Sequence, residues 1–203
     1  MTEIEKRSGS LGVETRADDS KRVLTGYAVI WNSNTTIGDY FVERIAPGAF
    51  SGAIGGDILA LLHHDSGRVL GRTKSNTLRL KEDTRGLHVE IDVPNTTDGN
   101  DLWELVERGD ITGMSFGMRV TKQEWDDTGA IPHRTILEAE LFEVTATPTP
   151  AYEDTHLAKR SLDAWRAEAD ATIARRRDEN RMAAARRIAE KRASFEQRIR
   201  GIA

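Results

Sequence analysis

Three short segments carry side chains whose types and surroundings suit nucleophilic catalysis. Gly113-Met114-Ser115-Phe116-Gly117 matches the pattern G-x-S-x-G, Leu61-Leu62-His63-His64-Asp65 ends an apolar run on two imidazoles, and Leu141-Phe142-Glu143-Val144-Thr145 sets a carboxylate among aliphatic residues. A serine hydroxyl attacks a carbonyl when a base takes its proton, and the base works best when a third group orients it. Ser115 is the candidate nucleophile, one of the two histidines the candidate base, and Glu143 the candidate orienting group.

The surroundings of each candidate narrow the chemistry. In an α/β-hydrolase, G-x-S-x-G forms an elbow between a strand and a helix. Here Phe116, Met118 and Val120 alternate with Gly117, Arg119 and Thr121, which predicts a strand running on through the serine. The downstream histidines, His133 beside a turn and His156 beyond Pro148 and Pro150, fit the elbow's triad order no better. Gly113 and Gly117 share the parity of Ser115, so both neighbours of the hydroxyl are bare. Glycine in a strand costs about 0.5–1 kcal/mol relative to alanine and often marks a close approach by another backbone. A peptide substrate is one such backbone; an edge strand with a surface serine is the structural alternative.

The histidine pair leaves its apolar run ahead of Ser66-Gly67, which reads as the turn. A histidine there is a rigid base or a structural residue. Adjacent strand residues point to opposite faces, which argues against one metal ion held by both. Leu137, Ala139, Leu141 and Glu143 share a parity, so Glu143 is expected on the face that the aliphatics bury, with Glu138 and Glu140 in solvent. A buried carboxylate needs a partner, either an imidazole or an arginine such as Arg72 or Arg119.

The elements that must position these groups are mostly strands. Leu11 to Arg16 and Val23 to Trp31 flank a polar turn, Leu78 to Lys81 and Leu87 to Val93 flank Glu82 to Gly86, and Ile111 to Lys122 and Thr135 to Thr145 flank Asp126 to Gly129. Each pair predicts a hairpin. Pro47 to Phe50 starts a short helical turn at most. Asp98 to Arg108 predicts a helix, with Leu102, Leu105 and Val106 on one face and Gly109 in the place of a left-handed cap. The pattern is antiparallel, strand-rich α+β, without regular βαβ alternation.

Composition sets the outer bounds. The 203 residues include no cysteine, which excludes disulfides, thiol nucleophiles and cysteine-ligated metals. No apolar stretch approaches the ~18–20 residues of a membrane span, and the polar start predicts no secretory signal. The net charge of −4 conceals a break at Arg160: residues 1–160 hold 18 Lys/Arg against 26 Asp/Glu, residues 161–203 hold 11 against 7. The front contains all five Pro and all five His, while the tail is rich in Ala, Arg and Glu. A folded unit of residues 1–160 followed by a helical tail, 161–203, is expected. In the tail, Ile188, Phe195 and Ile202 lie seven apart, a faint heptad. Acidic residues interrupt its basic ones, so no nucleic-acid partner is expected.

The order of segments resembles the prohead, or capsid-maturation, serine proteases of tailed bacteriophages, a family distantly related in fold to the herpesvirus assemblins. The resemblance rests on Gly26 to Ser33, Glu43 to Phe50, Leu61 to Asp65 with Leu70-Gly71-Arg72-Thr73, Arg108 to Gly117, and Leu141 to Thr145 leading to Pro150-Ala151-Tyr152. It implies a catalytic triad of Ser115, His64 and Glu143, with His63 at a variable position and Thr145 where the family more often has serine. It implies a mostly antiparallel β-barrel with flanking helices and the helical tail. It also implies a serine endopeptidase without metal or cofactor that cuts scaffold or major capsid protein, and itself, inside the immature capsid in the host cytoplasm. Self-association, and no membrane partner, belong to the same expectation. Two rival readings are an esterase on the G-x-S-x-G motif and a non-catalytic assembly module that binds scaffold or capsid subunits through the same fold.

Overall fold

The computed structural model describes residues 4–9, 13–18, 21–148 and 155–200. It divides into two compact units, Met1–Ala158 and Lys159–Ala203.

The first unit is α+β, dominated by strands. β1 (Glu5–Gly9) is followed by β2 (Glu14–Asp18), β3 (Lys21–Ile30), β4 (Thr35–Ile37), β5 (Phe41–Ile45), β6 (Leu59–Leu62) and β7 (Asp65–Arg72). After a 3₁₀ turn at Thr73–Ser75 come β8 (Leu78–Glu82), β9 (Gly86–Asp92), helix α1 (Thr97–Glu107), β10 (Gly113–Asp126) and β11 (His133–Thr147). The second helix, α2, spans Thr155–Arg200.

One sheet follows local rules closely. Its order is β2-β3-β9-β8, with every neighbour antiparallel. Asp83 closes the β8–β9 turn by accepting hydrogen bonds from the backbone of Arg85 and Gly86, the side-chain device that makes Asp a turn residue. Leu87, Val89 and Ile91 point into the core from β9 while His88 and Glu90 are only half-buried, as the alternation predicts. Helix α1 starts on a Thr96 side chain that accepts from Gly99 N and ends with Gly109 at φ +80°. Of the first hairpin, residues 11, 12, 19 and 20 lie outside the described residues.

The other sheet departs from the antiparallel expectation. Its seven strands run β1-β10-β11-β5-β4, and β6 adds to β11 and pairs onward with β7. β11 is 15 residues long, enough to seat two short strands end to end on one edge. Its first half pairs in parallel with β5 and its last residues in parallel with β6. The expected barrel is not observed: among the described residues the two sheets share no strand pairing, and consecutive β1 and β2 go to different sheets. Closure is by side chains instead, since Leu24, Val89 and Ile91 of one sheet and Met114, Phe116 and Val144 of the other enter a single core.

A buried charge cluster ties β1 to the large sheet. Glu5 and Arg7 from β1 meet Glu43 from β5 and Arg134 from β11, with exposures of 6, 4, 3 and 1 %. Arg7 Nε donates to Glu43 at 2.6 Å, and Arg134 Nη1 donates to both Glu5 and Glu43 at 2.8 Å. Burial alone would push the Glu5 carboxyl up, but the adjacent Arg134 and Arg7 outweigh it and hold the carboxyl below its ordinary value. Arg7 is raised for the converse reason, with Glu43 and Glu5 overcoming its burial.

In the second unit, α2 is exposed from 170 through 183, including Ile173 and Met182. No described helix is long and apolar enough to cross a membrane. The side chains of Ile188 and Phe195, and residue Ile202, lie outside the described residues.

Candidate active site

The histidine pair sits in a turn. Leu62 pairs with Asp65, so His63 and His64 are the two central residues of the β6–β7 hairpin, with φ of 54° and 59°. Two-residue hairpin loops with both φ positive normally use Asn-Gly or Gly-Gly. Left-handed non-glycine residues cost on the order of 1–3 kcal/mol each and cluster at functional sites. The expected turn at Ser66-Gly67 is therefore three residues too late; those residues belong to β7. The tight turn sends the two rings apart by a different route from strand alternation, leaving His63 exposed and His64 half-buried.

Glu143 is on the face opposite the one predicted. Gly117 pairs with Glu143 but Met118 pairs with Leu141, so β11 carries one extra residue, Phe142, at a β-bulge. A bulge reverses the alternation beyond it. Ala139 and Leu141 face the core before the bulge, and Val144 and Ala146 face it afterwards. Glu143 and Thr145 are thereby turned to the other side, which they share with Ser115 and Gly117, their partners across the β10–β11 ladder.

On that face the carboxylate is held at both oxygens. His64 Nδ1 lies 2.7 Å from Glu143 Oε1, and the Thr145 hydroxyl donates to Oε2 at 3.2 Å. An ionised carboxylate only accepts, so Nδ1 is the donor in this contact, and in the neutral ring that tautomer places the lone pair on Nε2. Gly117 makes room for this arrangement: a Cβ there would stand 2.9 Å from Glu143 Cγ and 3.0 Å from Oε1. The arginine alternatives are engaged elsewhere, Arg72 with Asp57 and Arg119 with Glu140. Thr145, which sequence reasoning left out of the triad, holds the second carboxylate oxygen of Glu143; its spacing of two from Glu143 along one strand face is the available signal.

Ser115 lies opposite Thr145 and one diagonal step, roughly 7–8 Å between backbones, from Glu143. It is 1 % exposed. Its hydroxyl donates to the backbone carbonyl of Arg7 on β1 at 2.7 Å, and among the described residues no hydrogen bond joins it to His64. The geometry thus contains an imidazole oriented through Nδ1 and a serine on the same face whose hydroxyl donates to a neighbouring strand. Among the described residues no group of three or more His, Asp or Glu forms a metal-ligand set.

Comparison with known proteins adds a family. Residues 11–168 match the model of the caudovirus prohead serine proteases. No curated protein matches. Among solved structures, the bacteriophage T4 capsid assembly protease, gp21, aligns with a TM-score of 0.45 at 13 % identity, over 70 % of this chain and 94 % of that one.

Proposed function

The chain belongs to the caudovirus prohead serine protease family, and from that premise we propose that Ser115, His64 and Glu143 form its catalytic triad. The observation that carries this reading is the 2.7 Å contact between His64 Nδ1 and Glu143, on the sheet face that also bears Ser115. It anchors Nδ1–H, the orientation in which the neutral ring offers Nε2 as the base.

In the proposed reaction, His64 Nε2 takes the Ser115 proton as Oγ attacks the substrate's carbonyl carbon. Glu143 stabilises the imidazolium, which then gives its proton to the leaving amine as the peptide bond breaks. Water repeats the sequence on the acyl-enzyme and releases the acid. Backbone N–H groups serve the oxyanion in this chemistry. The proposed substrates are scaffold or the pro-segment of the major capsid protein, and the chain itself, cut inside the immature capsid. The tail from Ser161 onward is proposed as a docking handle. A distant kinship in fold with the herpesvirus assemblins belongs to the same reading.

The non-catalytic assembly module draws on one observation, the burial of Ser115 and its bond to Arg7. Co-expression of capsid protein with the wild type and with Ser115→Ala separates the two readings. The triad reading expects the capsid protein to stay full-length on a gel with the variant; unchanged processing would rule it out.

A further inference from the structure

The outer edge of β10 is occupied by the chain's own N-terminal strand. β1 pairs antiparallel with β10, placing Ser8 opposite Ser115 and Arg7 opposite Phe116. The group touching the Ser115 hydroxyl is a β1 backbone carbonyl, the same kind of group that a peptide substrate must bring to it. An extended peptide reaches a strand-borne serine most simply by adding to that strand's edge through main-chain hydrogen bonds.

Two features make β1 removable. It is the terminal strand of its sheet and, among the described residues, pairs with β10 alone, so its departure breaks no other ladder described. The charge cluster also divides evenly: Glu5 and Arg7 leave together, and Glu43 and Arg134 remain bonded to each other at 2.8 Å. Withdrawal of β1 therefore strands no single buried charge, the outcome that makes broken ion pairs costly.

We propose that the β10 edge is the binding surface for an extended substrate strand, and that β1 is an internal occupant which keeps the enzyme latent until it is displaced. The proposal rests on Ser115 being the nucleophile. In the latent state the Ser115 proton is held by Arg7, and β1 blocks the approach of a substrate carbonyl. In the open state the hydroxyl is released to turn toward His64.

The test keeps β1 in place during folding. A recognition site for a sequence-specific protease is inserted between Gly9 and Val13, and the folded protein is cut. The 1–9 fragment is washed away in mild urea, with its loss checked by intact mass. A fluorophosphonate probe then reports the modification rate of Ser115, located by mass spectrometry, in the intact protein, the clipped protein and the clipped protein with synthetic 1–9 peptide. Clipping should raise the rate roughly tenfold or more, the ratio being set by how rarely β1 leaves unaided, and the peptide should restore the slow rate. Equal rates in intact and clipped protein, or no effect of the peptide, would overturn the proposal. Probe found on another residue, or on none in any form, would instead overturn the nucleophile reading. Fluorescence anisotropy of a labelled 1–9 peptide on clipped Ser115→Ala protein reads edge occupancy without activity, and absence of saturable binding there would overturn the strand's role by itself.

Discussion

Two buried polar clusters lie along the same sheet, and they are finished differently. The Glu5–Arg7–Glu43–Arg134 cluster is closed: two guanidiniums face two carboxylates, and Arg134 spends a further donor on Gln123 at 2.7 Å. The His64–Glu143–Thr145 cluster is open. Its carboxylate is bonded at both oxygens, yet among the described residues the far imidazole nitrogen, Nε2, has no hydrogen-bond partner. A closed cluster contributes to the fold and has nothing left to react with. An open one carries strain in its turn and keeps a reactive valence. Burial alone does not separate structure from chemistry; the unspent hydrogen-bonding capacity does.

The contrast is broken most severely by attacking each cluster and asking which property moves. Glu143→Gln keeps the shape but removes the charge that fixes the His64 tautomer and steadies its cation. Processing should fall by about 10²–10⁴-fold, measured on co-expressed capsid protein, with the melting temperature little changed. Arg134→Ala should do the reverse. It leaves Glu5 and Glu43 buried without one of their two guanidiniums and should cost about 3–5 kcal/mol in denaturant unfolding. Acid should probe the same cluster: the depressed Glu5 contributes stability that is complete above its ordinary value of 4.5 and is lost as pH falls below that toward its folded-state value. The smallest effect is expected at Thr145. Thr145→Val deletes one donor to Glu143 and should slow processing about tenfold or less, whereas Thr145→Ser, which keeps a hydroxyl, should restore it.

Much of this architecture was legible in the residues. The β8–β9 and β10–β11 hairpins and helix α1 follow from alternation, turn residues and capping, and the structure has them within a few residues of the predicted bounds. Ser115, with glycines on its own parity, was marked as a place where another backbone comes close, and β1 comes close there. What stayed hidden depends on pairing across distance. Parity arithmetic assumes an unbroken strand, and the bulge at Phe142 reversed the face of Glu143 without any Gly or Pro to signal it. The His63-His64 turn lacks the glycine or asparagine that its backbone would prefer. Strand β1 is not predicted: the start of the chain is polar, and Glu5 and Arg7 meet Glu43 and Arg134 only in the folded sheet. The barrel expectation failed because the two sheets meet through side chains and not through a shared ladder.

If Ser115 and His64 act as one unit, a double-mutant cycle shows it. Cleavage rates are measured for wild type, Ser115→Ala, His64→Ala and the double variant, with folding checked for each. Either single change should cost on the order of 10⁴-fold or more, and the double variant should lose no more than the singles, as for residues sharing one catalytic step. Losses that multiply in the double variant, or substantial cleavage surviving either single change, would contradict it.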